Sequence, residues 1–179
     1  MPGIIRNLPF FDQPTTVQVR GQSVRIKRDQ IIVWVSVAEK GVRTLHPNTP
    51  RFPAILDTGS NHNFAIRRSQ LIEWAGIQPE YLRQFGPMRL HGKRIPQFAA
   101  NVWLYPNRPG KRDEFAERPP CLLECPNGIA VIPDDGERGE PRLPVFGLRA
   151  VRWNNLHLAI DGRRQCVSIR TARRFWPFG

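Results

Sequence analysis

Apolar and polar residues alternate with period two in several short stretches of the chain, the pattern that turns one face of a strand to a core and the other to water. Thr16-Val17-Gln18-Val19-Arg20 and Val24-Arg25-Ile26-Lys27 alternate on either side of Gly21-Gln22, which predicts two short strands joined by a turn. Ile31-Ile32-Val33-Trp34-Val35-Ser36-Val37 is β-branched and almost continuously apolar, as a strand buried on both faces is. After a Pro-rich loop, Ala54-Ile55-Leu56 is a shorter apolar run that ends abruptly in Asp57-Thr58-Gly59-Ser60. The stretch 68–74 predicts a helix, with Leu71, Ile72 and Trp74 clustered and Gly76 placed to stop it. Pro79 and Glu80 predict a second helical turn running to Phe85.

Residues 88–96 predict a hairpin centred on Gly92, continuing into a strand over 98–105. The charge-rich stretches 106–120 and 134–142 read as exposed loops, and strands are expected at 121–124 and 128–133 between them. Val145-Phe146-Gly147-Leu148 follows, and 156–160 with 165–169 around Asp161-Gly162 form the clearest hairpin signal of the chain. Many short strands without regular strand-helix alternation predict an all-β domain, β-rich with one or two short helices and barrel-like in architecture. The expected division is an N-terminal extension over 1–30, a main domain over 31–172 and an aromatic tail over 173–179, with Phe175-Trp176-Pro177-Phe178.

A length of 179 residues suits one domain. With 40% hydrophobic and 23% charged residues the chain is globular, and 14 glycines with 18 prolines favour short strands joined by turns. The formal net charge of +12 is scattered in pairs such as Arg67-Arg68 and Arg163-Arg164, so it favours acidic partners in general and selects none. Three cysteines, Cys121, Cys125 and Cys166, are too few and wrongly spaced for a disulfide framework or a zinc site. His46 and His157 have no companions at metal spacing, so no metal and no cofactor is expected. Trp34, Trp74 and Trp103 fit core positions. No apolar stretch approaches the roughly 18 residues of a membrane span or forms a signal-peptide core, which gives the expectation of a soluble, cytoplasmic protein with no membrane partner.

Asp57-Thr58-Gly59-Ser60 carries the chemistry. A buried strand ends on a carboxylate, two hydroxyls flank it, and a glycine lets the backbone turn beside it. Taken alone, Asp-Thr-Gly is a common strand-ending turn. Here a second apolar-apolar-Gly run, Val145-Phe146-Gly147, lies about ninety residues further on, with the Gly92 hairpin between the two.

That order resembles the retropepsin-like aspartic proteases, over most of the chain. The resemblance implies a closed barrel of one lobe that is active as a two-fold homodimer. It implies that Asp57 is the catalytic acid, that Thr58 clasps the two motif loops, and that Gly59 and Ser60 shape the loop around the carboxylate. Leu90, His91, Gly92 and Lys93 fall at the family's flap, and Val145, Phe146 and Gly147 at its apolar-apolar-Gly strand. Asn61 and His62 follow the motif where retroviral members carry acidic residues, and would contact substrate. Arg149 stands where many bacterial relatives carry an aspartate.

Aspartic proteolysis needs two carboxylates sharing a proton, and the chain has one such motif, so a second copy must supply the other acid. The expected function is hydrolysis of peptide bonds in a peptide or protein by a water held between two Asp57 carboxylates. The departures at Asn61 and Arg149 suggest a second class, a catalytically silent domain used for dimerisation or peptide binding. Nucleic acid is not expected as a partner, since no known nucleic-acid-binding pattern accompanies the charge. His91, Lys93 and Arg94 read as solvated; turned inward, they would favour acidic substrate residues.

Overall fold

The computed structural model describes residues 3–90, 92–134 and 142–172. Strand β1 (Ile5–Pro9) is followed by the hairpin β2 (Thr15–Val19) and β3 (Gln22–Ile26). Arg20 and Gly21 both take positive φ, 51° and 80°, as the tight two-residue turn between these strands requires. The turn thus sits one residue earlier than the alternation predicts.

Next come β4 (Ile32–Glu39), β5 (Phe52–Asp57), β6 (Phe64–Arg67), helix α1 (Arg68–Glu73) and a 3-10 turn at Pro79–Tyr81. The predicted second helical turn therefore stops short of Phe85, which already lies in β7 (Gln84–Leu90). The remaining elements are β8 (Lys93–Phe98), β9 (Ala100–Leu104), β10 (Cys121–Leu123), β11 (Ile129–Ile132), β12 (Val145–Gly147), α2 (Leu148–Trp153), β13 (Leu156–Asp161) and β14 (Cys166–Thr171). The strand content bears out an all-β protein with two short helices. The aromatic tail over 173–179 lies outside the described residues.

Nine strands make the main sheet, in the order β10-β9-β4-β5-β12-β6-β11-β8-β7. β4 lies between β9 and β5, and the residues on both of its faces are largely buried, which accounts for its apolar run. β1 pairs with β14, and β14 with β13, in a second sheet of three strands. The alternation of the sequence does not reveal β1, because Arg6-Asn7 interrupts it and Asn7 adopts a left-handed φ of 47°.

The expected closed barrel is not found: among the described residues the nine-stranded sheet is open, with β10 and β7 as its edges. Neither edge suits closure. β10 is three residues long, and β7 carries Gly86-Pro87, where the ladder slips between Phe85 and Met88 and proline lacks the N–H that a further strand would need. The core lies between the sheets and the helices. Trp74, Phe52, Phe64 and Phe146 are fully buried there, with the Phe52 and Trp74 rings 6.1 Å apart at 58°. Each contributes about 1.5–3 kcal/mol or more by leaving water.

Candidate active site

β12 runs parallel to β5, with Val145, Phe146 and Gly147 level with Ile55, Leu56 and Asp57. On its other side it pairs antiparallel with β6. The strand from late in the chain is thus inserted between the strand that carries the aspartate and the strand that follows it. The connecting loop wraps the end of β12: the Gly147 amide donates to the Asn63 carbonyl at 3.1 Å and the Leu148 amide to the Ser60 carbonyl at 2.7 Å. This close wrapping needs a glycine, because a Cβ at Gly147 would lie 2.2 Å from the His62 oxygen and 2.9 Å from the Ser60 oxygen.

The same loop fixes the carboxylate. The Gly59 amide donates to Asp57 Oδ1 at 2.9 Å, and the Ser60 amide to the Asp57 carbonyl at 3.2 Å, closing an Asx-type turn. Leu56 and Phe146 are buried beneath, whereas the Asp57 side chain reaches the surface. Thr58 is exposed, and its hydroxyl makes no hydrogen bond among the described residues.

A cleft of about 880 Å³ opens beside Asp57, within the usual range for ligand sites. Of the residues singled out in the sequence, Asp57, Gly59, Ser60, Asn61, His62, Lys93 and Val145 line it. Others do not. Thr58 faces outward beside it, Phe146 points into the core, and Gly147 is packed beneath the loop. Gly92 forms the hairpin turn with φ +78°, and Leu90 ends β7 opposite Lys93. His91 lies outside the described residues.

Much of the lining was not legible in the sequence. Ile66 and Arg67 come from β6, Ile132 from β11, and Arg142, Leu143 and Pro144 from the approach to β12. Arg89 and Ile95 come from the Gly92 hairpin, and Lys93 and Arg94, read from the sequence as solvated, line the cleft as well. Gln70, almost wholly buried in α1, accepts from the Arg67 amide at 3.2 Å and donates to the Arg142 carbonyl at 2.6 Å. One amide thereby ties two segments of the cleft wall together.

Asp57 is the one acid among the described lining residues, so a reaction that needs two carboxylates finds only one among them. The cysteines lie away from the cleft. Burial pushes the Cys125 thiol up to about 12, which keeps it protonated and poorly nucleophilic. Among the described residues no three side chains of His, Cys, Asp and Glu converge on a metal position, and no helix is long and apolar enough to cross a membrane. Comparison of the chain with protein-family models, with curated proteins and with solved structures finds no match.

Proposed function

We propose that the protein is an aspartic endopeptidase that works as a homodimer, with one Asp57 from each subunit. The observation that carries this reading is the rigid presentation of a lone exposed carboxylate, held by the Gly59 amide beside the inserted Val145–Gly147 strand at the edge of a cleft. An isologous two-fold contact brings the same residue of both subunits to the axis and so makes a pair from one motif. Two surface features of the loop favour such a contact: the exposed Thr58 hydroxyl, available to clasp the partner loop, and Leu148, an apolar side chain 44% exposed directly after Gly147.

In the reaction the ionised Asp57 removes a proton from water, whose oxygen bonds to the scissile carbonyl carbon while the protonated Asp57 donates a hydrogen bond to the carbonyl oxygen. Collapse of the tetrahedral intermediate breaks the C–N bond, and the proton passes to the leaving amine. The two acids titrate as a coupled pair. The hairpin of β7 and β8 borders the cleft through Arg89, Lys93, Arg94 and Ile95, and the turn at Gly92 lets its tip bend over a bound peptide.

The test is cleavage of a peptide library across the acid range, read beside sedimentation of the same protein. Asp57→Asn is expected to lower the rate by at least about 10²–10⁴-fold, while the dimer persists and the fold is kept, since the asparagine oxygen accepts the same Gly59 N–H. A dimer that cleaves nothing, with or without the substitution, would instead support a catalytically silent peptide-binding domain. A strict monomer that cleaves nothing removes both.

A further inference from the structure

We propose that the cleft takes acidic peptides, whose carboxylates pair with Lys93, with Arg142 and with the facing arginines Arg89 and Arg94. The inference rests on the reading of the cleft as a peptide site and adds the class of substrate.

Among the described lining residues Arg67, Arg89, Lys93, Arg94 and Arg142 stand against Asp57 as the one acid. A cleft lined by one sign of charge concentrates its field and draws in the opposite sign. Some cations elsewhere on the surface are paired, as Arg43 is with Glu124 at 3.3 Å and Arg108 with Glu114 at 3.0 Å. Arg89, Lys93, Arg94 and Arg142 form no ion pair among the described residues.

The register of the hairpin sharpens this. Arg89 lies directly opposite Arg94 in the antiparallel ladder, and like charges so placed destabilise a sheet. A carboxylate received between them removes that repulsion. Lys93 shares a strand face with Ile95, two residues on, and Ile95 is buried against Ala65 and Ala130 on the cleft side. Lys93 is therefore on the face of the hairpin that packs toward the cleft, while Arg89 and Arg94 share the other face and border the cleft at its rim.

Arg142 marks the far end. It precedes Gly147 by five residues, and at about 3.3 Å per residue this puts it on the order of 15 Å from the level of Asp57. The buried Gln70 amide holds its backbone there. A peptide laid along the cleft with its scissile bond at Asp57 brings a side chain about four positions away level with Arg142. Between the two ends Ile132, Leu143 and Val145 offer an aliphatic wall. No Phe, Tyr or Trp occurs among the described lining residues, so the bases of a nucleic acid would find no stacking platform, and an acidic peptide with an aliphatic centre fits better.

The test uses the full chain carrying Asp57→Asn, so that binding is read without turnover. Labelled peptides with one aliphatic centre, flanked by Glu, Gln or Lys, are titrated by fluorescence anisotropy. The Glu peptide is expected to bind about tenfold more tightly than the Gln peptide, the contribution of a few exposed ion pairs, and the margin should shrink with salt. Arg142→Glu, added to the same protein, is expected to narrow the margin between the Glu and Gln peptides several-fold without abolishing it, since Arg67, Arg89, Lys93 and Arg94 remain, with circular dichroism reporting an unchanged fold. Equal affinity for the Glu and Gln peptides, binding of neither, or tighter binding of a labelled oligothymidylate overturns the inference. Cleavage by the unsubstituted protein is scored separately. A preference for Glu without any cleavage sinks the endopeptidase reading and leaves this one, whereas cleavage that ignores charge does the reverse.

Discussion

The α-carbon of Gly147 faces the carbonyl oxygen of His62 with no room for a side chain between them, since a Cβ would come within 2.2 Å. That contact joins the inserted strand to the loop that carries Asp57, so strand and loop cannot move independently. Gly147→Ala is expected to push the loop off β12, cost about 1–3 kcal/mol as overpacking does and lower Tm by several degrees. The accompanying loss of peptide cleavage should exceed what the fall in folded protein explains. A thermal melt and an assay well below Tm measure the two effects.

Leu148 sits one residue beyond that contact, exposed beside the Ser60 carbonyl. Leu148→Glu places two like charges near the axis of the proposed dimer, where they repel without touching the subunit core. The expected outcome is a dimer dissociation constant raised at least about tenfold, with the melt of the dilute protein unchanged. Sedimentation over a range of concentrations reads the shift, and a dissociation constant left where it was would put the two-fold contact elsewhere.

Cys125 is expected to resist alkylation in the folded protein. Its thiol is held up to about 12 by burial, and the thiolate is the form that reacts. Labelling with iodoacetamide at pH 8 followed by mass spectrometry should leave Cys125 unmodified while the chain is native. It should be modified fully once denaturant is added.

The Arg68 guanidinium, hydrogen-bonded to Glu80, holds that carboxyl below its ordinary value of 4.5. A carboxyl depressed by folding favours the native state above its unfolded value, and that contribution disappears as the pH falls through the lower folded value. The pair is exposed, so the effect on stability is small. Its signature is local: an NMR titration should place the Glu80 midpoint below 4.5 in the native protein, and Arg68→Gln should return it towards 4.5.

The strands of this protein are legible because each states its own burial. The continuous apolar run of β4 reflects burial of both its faces, and the alternation of β2 and β3 reflects a two-residue hairpin that exposes one face. The helix α1 follows from Leu71, Ile72 and Trp74, and the sharp end of β5 at Asp57 from the turn chemistry of the residues behind it. Helix α2 was missed because Gly147 stands at its N-cap with no capping side chain to announce it. β1 was missed because it acquires its meaning only on meeting β14 at the other end of the chain.

What the residues determined alone is local: which segments are extended, where the chain turns, and that one aspartate sits at the end of a buried strand. The tertiary structure decided that β12 slips in parallel between β5 and β6, that the main sheet stays open at β7 and β10, and that Arg67, Arg89 and Arg142 line one cleft. The difference is one of range. Period and turn preference act between residues a few positions apart. The pairing of strands ninety residues apart depends instead on which apolar faces cover each other best and on whether a glycine leaves room for the approach.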